Sequence, residues 1–239
     1  YLQEGAAFEE VSVPTEEAAS VYALLGHLLP RGCHALVVGP SGSGKTSTVL
    51  RFLRDWRQKD KAKVASRCDF AQLALSAHTP VQDMQTALEA RVAKQRRGVY
   101  WPANAGPCAF FIDDLNMPRP ELSGAQPPLE LVRQWLDQGG WHFFEDRAFC
   151  QVVDLIAVGA QKPAGGNRHR VSQRTVRHFN CLAAQEPVER QLGAIFLPLV
   201  RTFGRDLQVH AQELMEASLE LYREAGRVLR AVPGRLTTS

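Results

Sequence analysis

The chain has 239 residues, 45% of them hydrophobic and 22% charged, and 28 Lys+Arg against 25 Asp+Glu leave a formal charge of only +3. This is a globular composition with enough apolar material for a core without metal or disulfide staples, and its charge is too small for a protein built around nucleic acid or an anionic membrane surface. Five separated cysteines (Cys33, Cys68, Cys108, Cys150, Cys181), with no CxxC pair, argue against a disulfide framework or zinc site and for a reducing compartment.

In chain order, a helix is expected over 15–29, opened by Thr15-Glu16-Glu17 and ended by Pro30-Arg31-Gly32. The short apolar run at 35–38 reads as a buried strand, followed by a helix from 44 to about 56. A weaker strand is expected over 72–76, and a helix over 80–95 with Val81, Met84, Leu88 and Val92 on one face. The stretch 98–107 reads as turn, 108–112 as an all-apolar strand, 116–128 as loop and 129–137 as a short helix. A hairpin is expected over 141–148 and a third buried strand over 152–158. A Gly-rich, basic loop at 161–169 follows, then a short helix and a strand over 179–183. After Pro187 the pattern is helical only, with Leu207, Ala211, Leu214, Leu221, Ala225 and Val228 on one face. Alternating strands and helices predict an α/β fold, a three-layer parallel-sheet domain over 1–185, with a helical piece over 186–239. No run approaches the ~20 apolar residues of a membrane span, and the start at Tyr1 leads us to expect a piece of a longer protein.

Gly39-Pro40-Ser41-Gly42-Ser43-Gly44-Lys45-Thr46, followed by Ser47, satisfies Gly-x4-Gly-Lys-Ser/Thr in full. Glycines let successive backbone N–H groups turn inward as a nest for phosphate oxygens, and the helix starting at Gly44 adds its N-terminal partial charge. Lys45 is expected to reach the β- and γ-phosphates and Thr46 to ligate Mg²⁺. The implied cofactors are ATP or ADP with Mg²⁺. Further on, Phe110-Phe111-Ile112-Asp113-Asp114 puts two carboxylates at the carboxyl end of a buried strand, the edge where open α/β sheets bind ligands. Asp113 is expected to hold Mg²⁺ opposite Thr46. Asp114 stands where an ATPase needs a carboxylate to orient the attacking water. Aspartate is one methylene shorter than the glutamate many such enzymes use.

FIDDLNMP, GAQPPLELVRQWLDQGGW, RTVRHFN and the approach VPTEEAASVYALLGHLLPRG resemble the third AAA+ module of dynein heavy chains, in its axonemal form, from about Val13 to Asn180, fading over the last sixty or so residues. The resemblance implies a six-module P-loop AAA+ ring that walks on microtubules, in which this module binds nucleotide and regulates the principal ATPase site. It assigns Gly39, Gly44, Lys45 and Thr46 to the nucleotide loop, Asp113 and Asp114 to the acidic pair, and Val13 and Pro14 to the segment over the adenine. Arg177 stands near the arginine finger that serves the neighbouring module, with Arg174 as the other candidate. The implied partners are neighbouring AAA+ modules of the same heavy chain, microtubules through parts outside this chain, and dynein light and intermediate chains; neither nucleic acid nor membrane is expected. The implied location is the cytoplasmic cytoskeleton, in a ciliary or flagellar axoneme.

The chain also departs from that pattern. The strand over 152–158 should end in a polar sensor for the attacking water, yet Gly159 follows and no polar side chain comes before Gln161. The loop QKPAGGNRHR is longer and more basic than usual, and the helical lid is expected to be partial, ending before its nucleotide-contacting arginine. The basic run Arg91, Lys94, Arg96, Arg97 reads as a solvated helix end, and Trp135 and Trp141 as packing residues. Two functions fit: a regulatory nucleotide site with slow or conditional hydrolysis, and a module that holds nucleotide as a structural plug. An unrelated P-loop enzyme is disfavoured by the FIDDLNMP and GAQPP blocks.

Overall fold

The computed structural model describes residues 13, 15–60, 68–104, 106–144, 147–165, 168–203 and 210–230. They fall into two compact units: Glu16–Glu186, and the described residues on either side of it.

In the first unit, α1 (Glu16–Leu28) carries Glu16 and Glu17 in its first turn and His27 in its last, each complementing the helix dipole. Gly32 closes the following turn at φ 72°, a left-handed value suited to glycine. Then come β1 (Ala35–Val38), α2 (Lys45–Asp60), β2 (Asp69–Ala74), α3 (Val81–Glu89), β3 (Val92–Arg96), β4 (Val99–Pro102), β5 (Cys108–Asp113), α4 (Pro127–Gln138), β6 (Gly140–His142), β7 (Phe149–Val152), β8 (Leu155–Gln161), α5 (Gln173–Val176) and β9 (Asn180–Ala183).

The main sheet has the order β2-β5-β8-β1-β9 with every pair parallel. Because side chains alternate along a strand, the all-apolar central strands feed two cores. Ala35, Val37, Ala109, Phe111, Ile156 and Val158 pack with Leu25, Leu29, Phe52 and Leu53 of the α1–α2 side. Leu36, Phe110, Ile112, Leu155 and Ala157 pack on the other face with Met84, Leu88, Trp135 and Trp141. The expected three layers follow from that alternation.

Several expected boundaries move. The helix expected over 80–95 ends at Glu89, and 92–96 is strand β3, paired antiparallel with β4 inside the stretch expected to be turn. Its partner is aromatic and β-branched, so a non-local pairing overrides a helical spacing. The basic run at 91–97 therefore lies on a hairpin, not a helix end. The expected hairpin at 141–148 appears as β6 against β7, and with β3 and β4 these form a second sheet, β3-β4-β7-β6. The apolar run at 152–158 hides a turn: Asp154 sits at φ 57° and its carbonyl accepts the Cys108 N–H at 2.9 Å. β8 consequently starts at Leu155 and continues to Gln161.

Beneath the sheet, His34 Nδ1 accepts the Ala157 N–H at 3.0 Å while its ring meets Trp135 and Phe179 edge-on. Burial first, and then His178, hold its pKa below 6.5. A depressed folded-state pKa makes this contribution complete above pH 6.5 and lost as pH falls through that value. Denaturant titrations between about pH 5 and 7.5 are expected to show stability dropping on acidification, with a flatter slope in His34→Gln.

The second unit contains α6 (Glu189–Phe203) and α7 (Ala211–Arg230), packed on each other through Leu199, Ala211 and Met215. Of the residues expected on one face of this helix, Ala211 is buried, Leu214, Leu221, Ala225 and Val228 are exposed, and Leu207 lies outside the described residues. Met215, which is not on that expected face, is also buried. No described helix is long and apolar enough to cross a membrane.

Candidate functional site

The carboxyl ends of β1, β5 and β8 meet at one edge of the sheet. β1 leads into the loop at Gly39, whose N–H donates to the Gln161 carbonyl at 3.2 Å. A Cβ at Gly39 would stand 2.1 Å from the Ala184 carbonyl oxygen, so only glycine lets the chain leave between β8 and β9. Gly42 and Gly44 take φ of 80° and 74°, which turns the loop back toward α2. Ser43 Oγ donates to the Pro40 carbonyl at 2.9 Å and Ser47 Oγ to the Gly44 carbonyl at 3.0 Å, bracing the loop from within.

Lys45, the first residue of α2, is buried, and its Nζ arches back to the Pro40 carbonyl at 2.5 Å and Ser43 Oγ at 3.3 Å. Burial, followed by repulsion from Lys162, lowers its pKa below 10.5; Asp113 and Asp114 act in the opposite sense. Thr46 Oγ1 donates to Asp113 Oδ2 at 2.8 Å, joining two motifs 67 residues apart. A hydroxyl and a carboxylate are the hard oxygen donors Mg²⁺ takes, with phosphate oxygens and water completing its shell. The glycine-formed loop at a helix start suits phosphate. The residues present therefore fit a Mg²⁺-nucleotide.

Asp114 leaves β5 at φ 50°, a left-handed conformation that aspartate tolerates better than most residues. Its N–H donates to Asp113 Oδ1 at 2.9 Å and its carbonyl accepts the Met117 N–H at 2.9 Å, closing a tight turn. Its Oδ1 pairs with Arg168 Nη2 at 3.3 Å. Ser41, Gly42, the Gly44–Ser47 segment, Asp113, Asp114 and Lys162 line a cleft of about 230 Å³.

Of the remaining candidates, Arg174 and Arg177 share a unit with this cleft. Val13 is half-buried and belongs to the other unit, and Pro14 lies outside the described residues. Arg177 is on an exposed surface, paired through Nη2 with Asp137 Oδ1 at 2.7 Å and bonded through Nε to His178 Nε2 at 3.3 Å. The Arg174 N–H is capped by Ser172 Oγ and its side chain is exposed. Neither arginine lines the cleft.

Lys162 was missed as a lining residue and Arg168 as the partner of Asp114, although their loop stood out as long and basic. Ending the strand at 158 hid them. With β8 running to Gln161, Gly159 lies inside the strand opposite Ile112, where a Cβ would come within 2.7 Å of Leu36 Cδ1. The strand exit, where a polar sensor was sought, is Gln161–Lys162.

The family described as P-loop containing dynein motor region matches residues 1–187. The chain belongs to this family. Among similar proteins, dynein axonemal heavy chain 1 of Mus musculus is 39% identical over 190 residues, covering 78% of this chain and 4% of its own length. Dynein axonemal heavy chain 12 of Rattus norvegicus is 31% identical over 233 residues, 95% of this chain and 7% of its own. Dynein axonemal heavy chain 3 of Homo sapiens is 32% identical over 226 residues, 92% of this chain and 5% of its own. The chain thus spans between 4% and 7% of the length of these relatives. Alignments covering 92% and 95% of it run into the helices after Pro187, so similarity to dynein heavy chains extends past the fade expected after Asn180. The α/β unit is the P-loop unit of this dynein motor-region family.

Proposed function

We propose that this chain is an ATP-binding AAA+ module of a dynein-type motor heavy chain, the third of its ring, acting as a regulatory nucleotide site with slow or conditional hydrolysis. The observation that carries the reading is the 2.8 Å contact of Thr46 Oγ1 with Asp113 Oδ2 beside Lys45 and the glycine-turned loop. Backbone N–H groups of Gly42–Thr46 cradle the phosphates, and Lys45 leaves the Pro40 carbonyl to meet the terminal ones. Lys162 adds a second cation to the same cleft. Thr46 and Asp113 would hold Mg²⁺, which would supply neutralisation of the phosphate charge. Asp114 orients the attacking water. Val13 and Pro14 cover the adenine.

Arg177, or Arg174 in its place, serves the neighbouring module and must leave Asp137 to do so if it is Arg177. Neighbouring modules of the heavy chain are the direct partners, and microtubules are reached through other parts of the parent. Light and intermediate chains complete the assembly, in the axoneme of a cilium or flagellum. The relatives' axonemal names support that location.

The competing reading, a structural nucleotide plug holding ATP or ADP, draws support from the short Asp114 side chain and its engagement by Arg168. Asp114→Asn separates the two, because asparagine keeps the shape and tolerates the left-handed backbone. In the full-length protein a regulatory ATPase loses single-turnover hydrolysis at this site by about 10²-fold or more while binding persists. Tight binding with no turnover in either form favours the plug.

A further inference from the structure

We infer that Arg168 is a positioning residue that restrains Asp114, committing one of its carboxylate oxygens and so slowing hydrolysis until the guanidinium finds another partner. The inference rests on the reading of Asp114 as the residue that orients water, and adds the reason the site turns over conditionally.

Arg168 is held in place by backbone bonds. Gly165 and Arg168 exchange reciprocal N–H to carbonyl bonds at 3.2 and 3.1 Å. Asn116, only 1% exposed, fastens both sides of that segment to the turn after β5. Its Nδ2 donates to the Lys162 carbonyl at 2.7 Å and its own carbonyl accepts the His169 N–H at 3.0 Å. The guanidinium therefore approaches Asp114 from a fixed base.

Its side chain is 16% exposed against 36% for Asp114. Nη1 meets the Met117 thioether, a weak acceptor. The buried Nε has no hydrogen-bond partner among the described residues. Asp114 is thus its only anionic partner among the described residues, and releasing it would leave an uncompensated cation away from water. Asp114 lines the cleft and Arg168 does not, so one oxygen of a cleft carboxylate is committed to a partner that is not among the lining residues. A side chain with one methylene has little reach to spare, and small displacements of a water-orienting carboxylate are costly.

Arg168→Met, Asp114→Asn and the double variant test this in the full-length protein. Single-turnover hydrolysis is expected to rise about tenfold in Arg168→Met, part of the ~10²-fold that a misplacement near 1 Å costs, with Mg-ATP affinity unchanged within about twofold. The gain is expected to vanish in the double variant, and Arg168→Lys to retain part of the restraint. Without nucleotide, shifts in unfolding midpoint of the two single variants should fail to add in the double. Arg168→Gln serves the same comparison should the methionine variant not fold. Slower or unchanged turnover, a gain that persists with Asn at position 114, or additive unfolding shifts each overturn the inference. Failure of the wild type to bind Mg-ATP is a separate result, counting against the nucleotide reading itself.

Discussion

Replacing Lys45 by alanine lowers affinity for Mg-ATP by about 10²–10³-fold, the largest single effect expected on binding. A charge-assisted hydrogen bond contributes about 1.5–3 kcal/mol, and Lys45 has two phosphate oxygens to meet from one position. The side chain is buried at the first turn of α2 and already arched over the loop. Its ammonium is desolvated before any ligand arrives, and burial lowers its pKa. An incoming phosphate recovers that cost, so truncation removes both the contact and the relief. Fluorescence titration with labelled ATP checks this. An affinity within about threefold of wild type shows that Lys45 is not a phosphate ligand.

The second large effect expected is the proposed completion of the site by a neighbouring module. Among the described residues no arginine lines the cleft, and Arg174 and Arg177 stand on exposed surface. In P-loop enzymes an arginine supplied from outside contributes ~10³–10⁵ to the rate. The 239-residue chain alone is therefore expected to hydrolyse bound ATP slower by about that factor than the same chain joined to its neighbouring module. Single-turnover measurements on both forms decide it. Fast turnover by the chain alone, independent of protein concentration, contradicts a site completed in trans.

What was legible in the sequence was what local chemistry dictates. A four-residue apolar run entering Gly39–Thr46 has few alternatives to a strand, a turned loop and a helix, and that is how β1 and α2 fold. The run 108–112 followed by Asp113 and Asp114 had to be a buried strand with its carboxylates at the exit. Elements made by distant partners were not legible. Residues 92–96 carry a helical spacing and become a strand only because Val99–Pro102 pairs with them. The turn at Asp154 looks like any apolar run interrupted once, and missing it set the expected strand three residues too early and concealed Lys162 and Arg168. The pair between Arg168 and Asp114 spans 54 residues and depends on Asn116 tying a loop to a turn, an arrangement no spacing rule encodes.

The most direct test of the central claim is an equilibrium titration of the wild-type chain with ATP, with Mg²⁺ present and then removed by chelation. The expected result is one saturable site that weakens markedly without Mg²⁺, because Thr46 and Asp113 would hold the ion that neutralises the phosphate charge. No saturable binding, or binding indifferent to Mg²⁺, would contradict the assignment of this cleft.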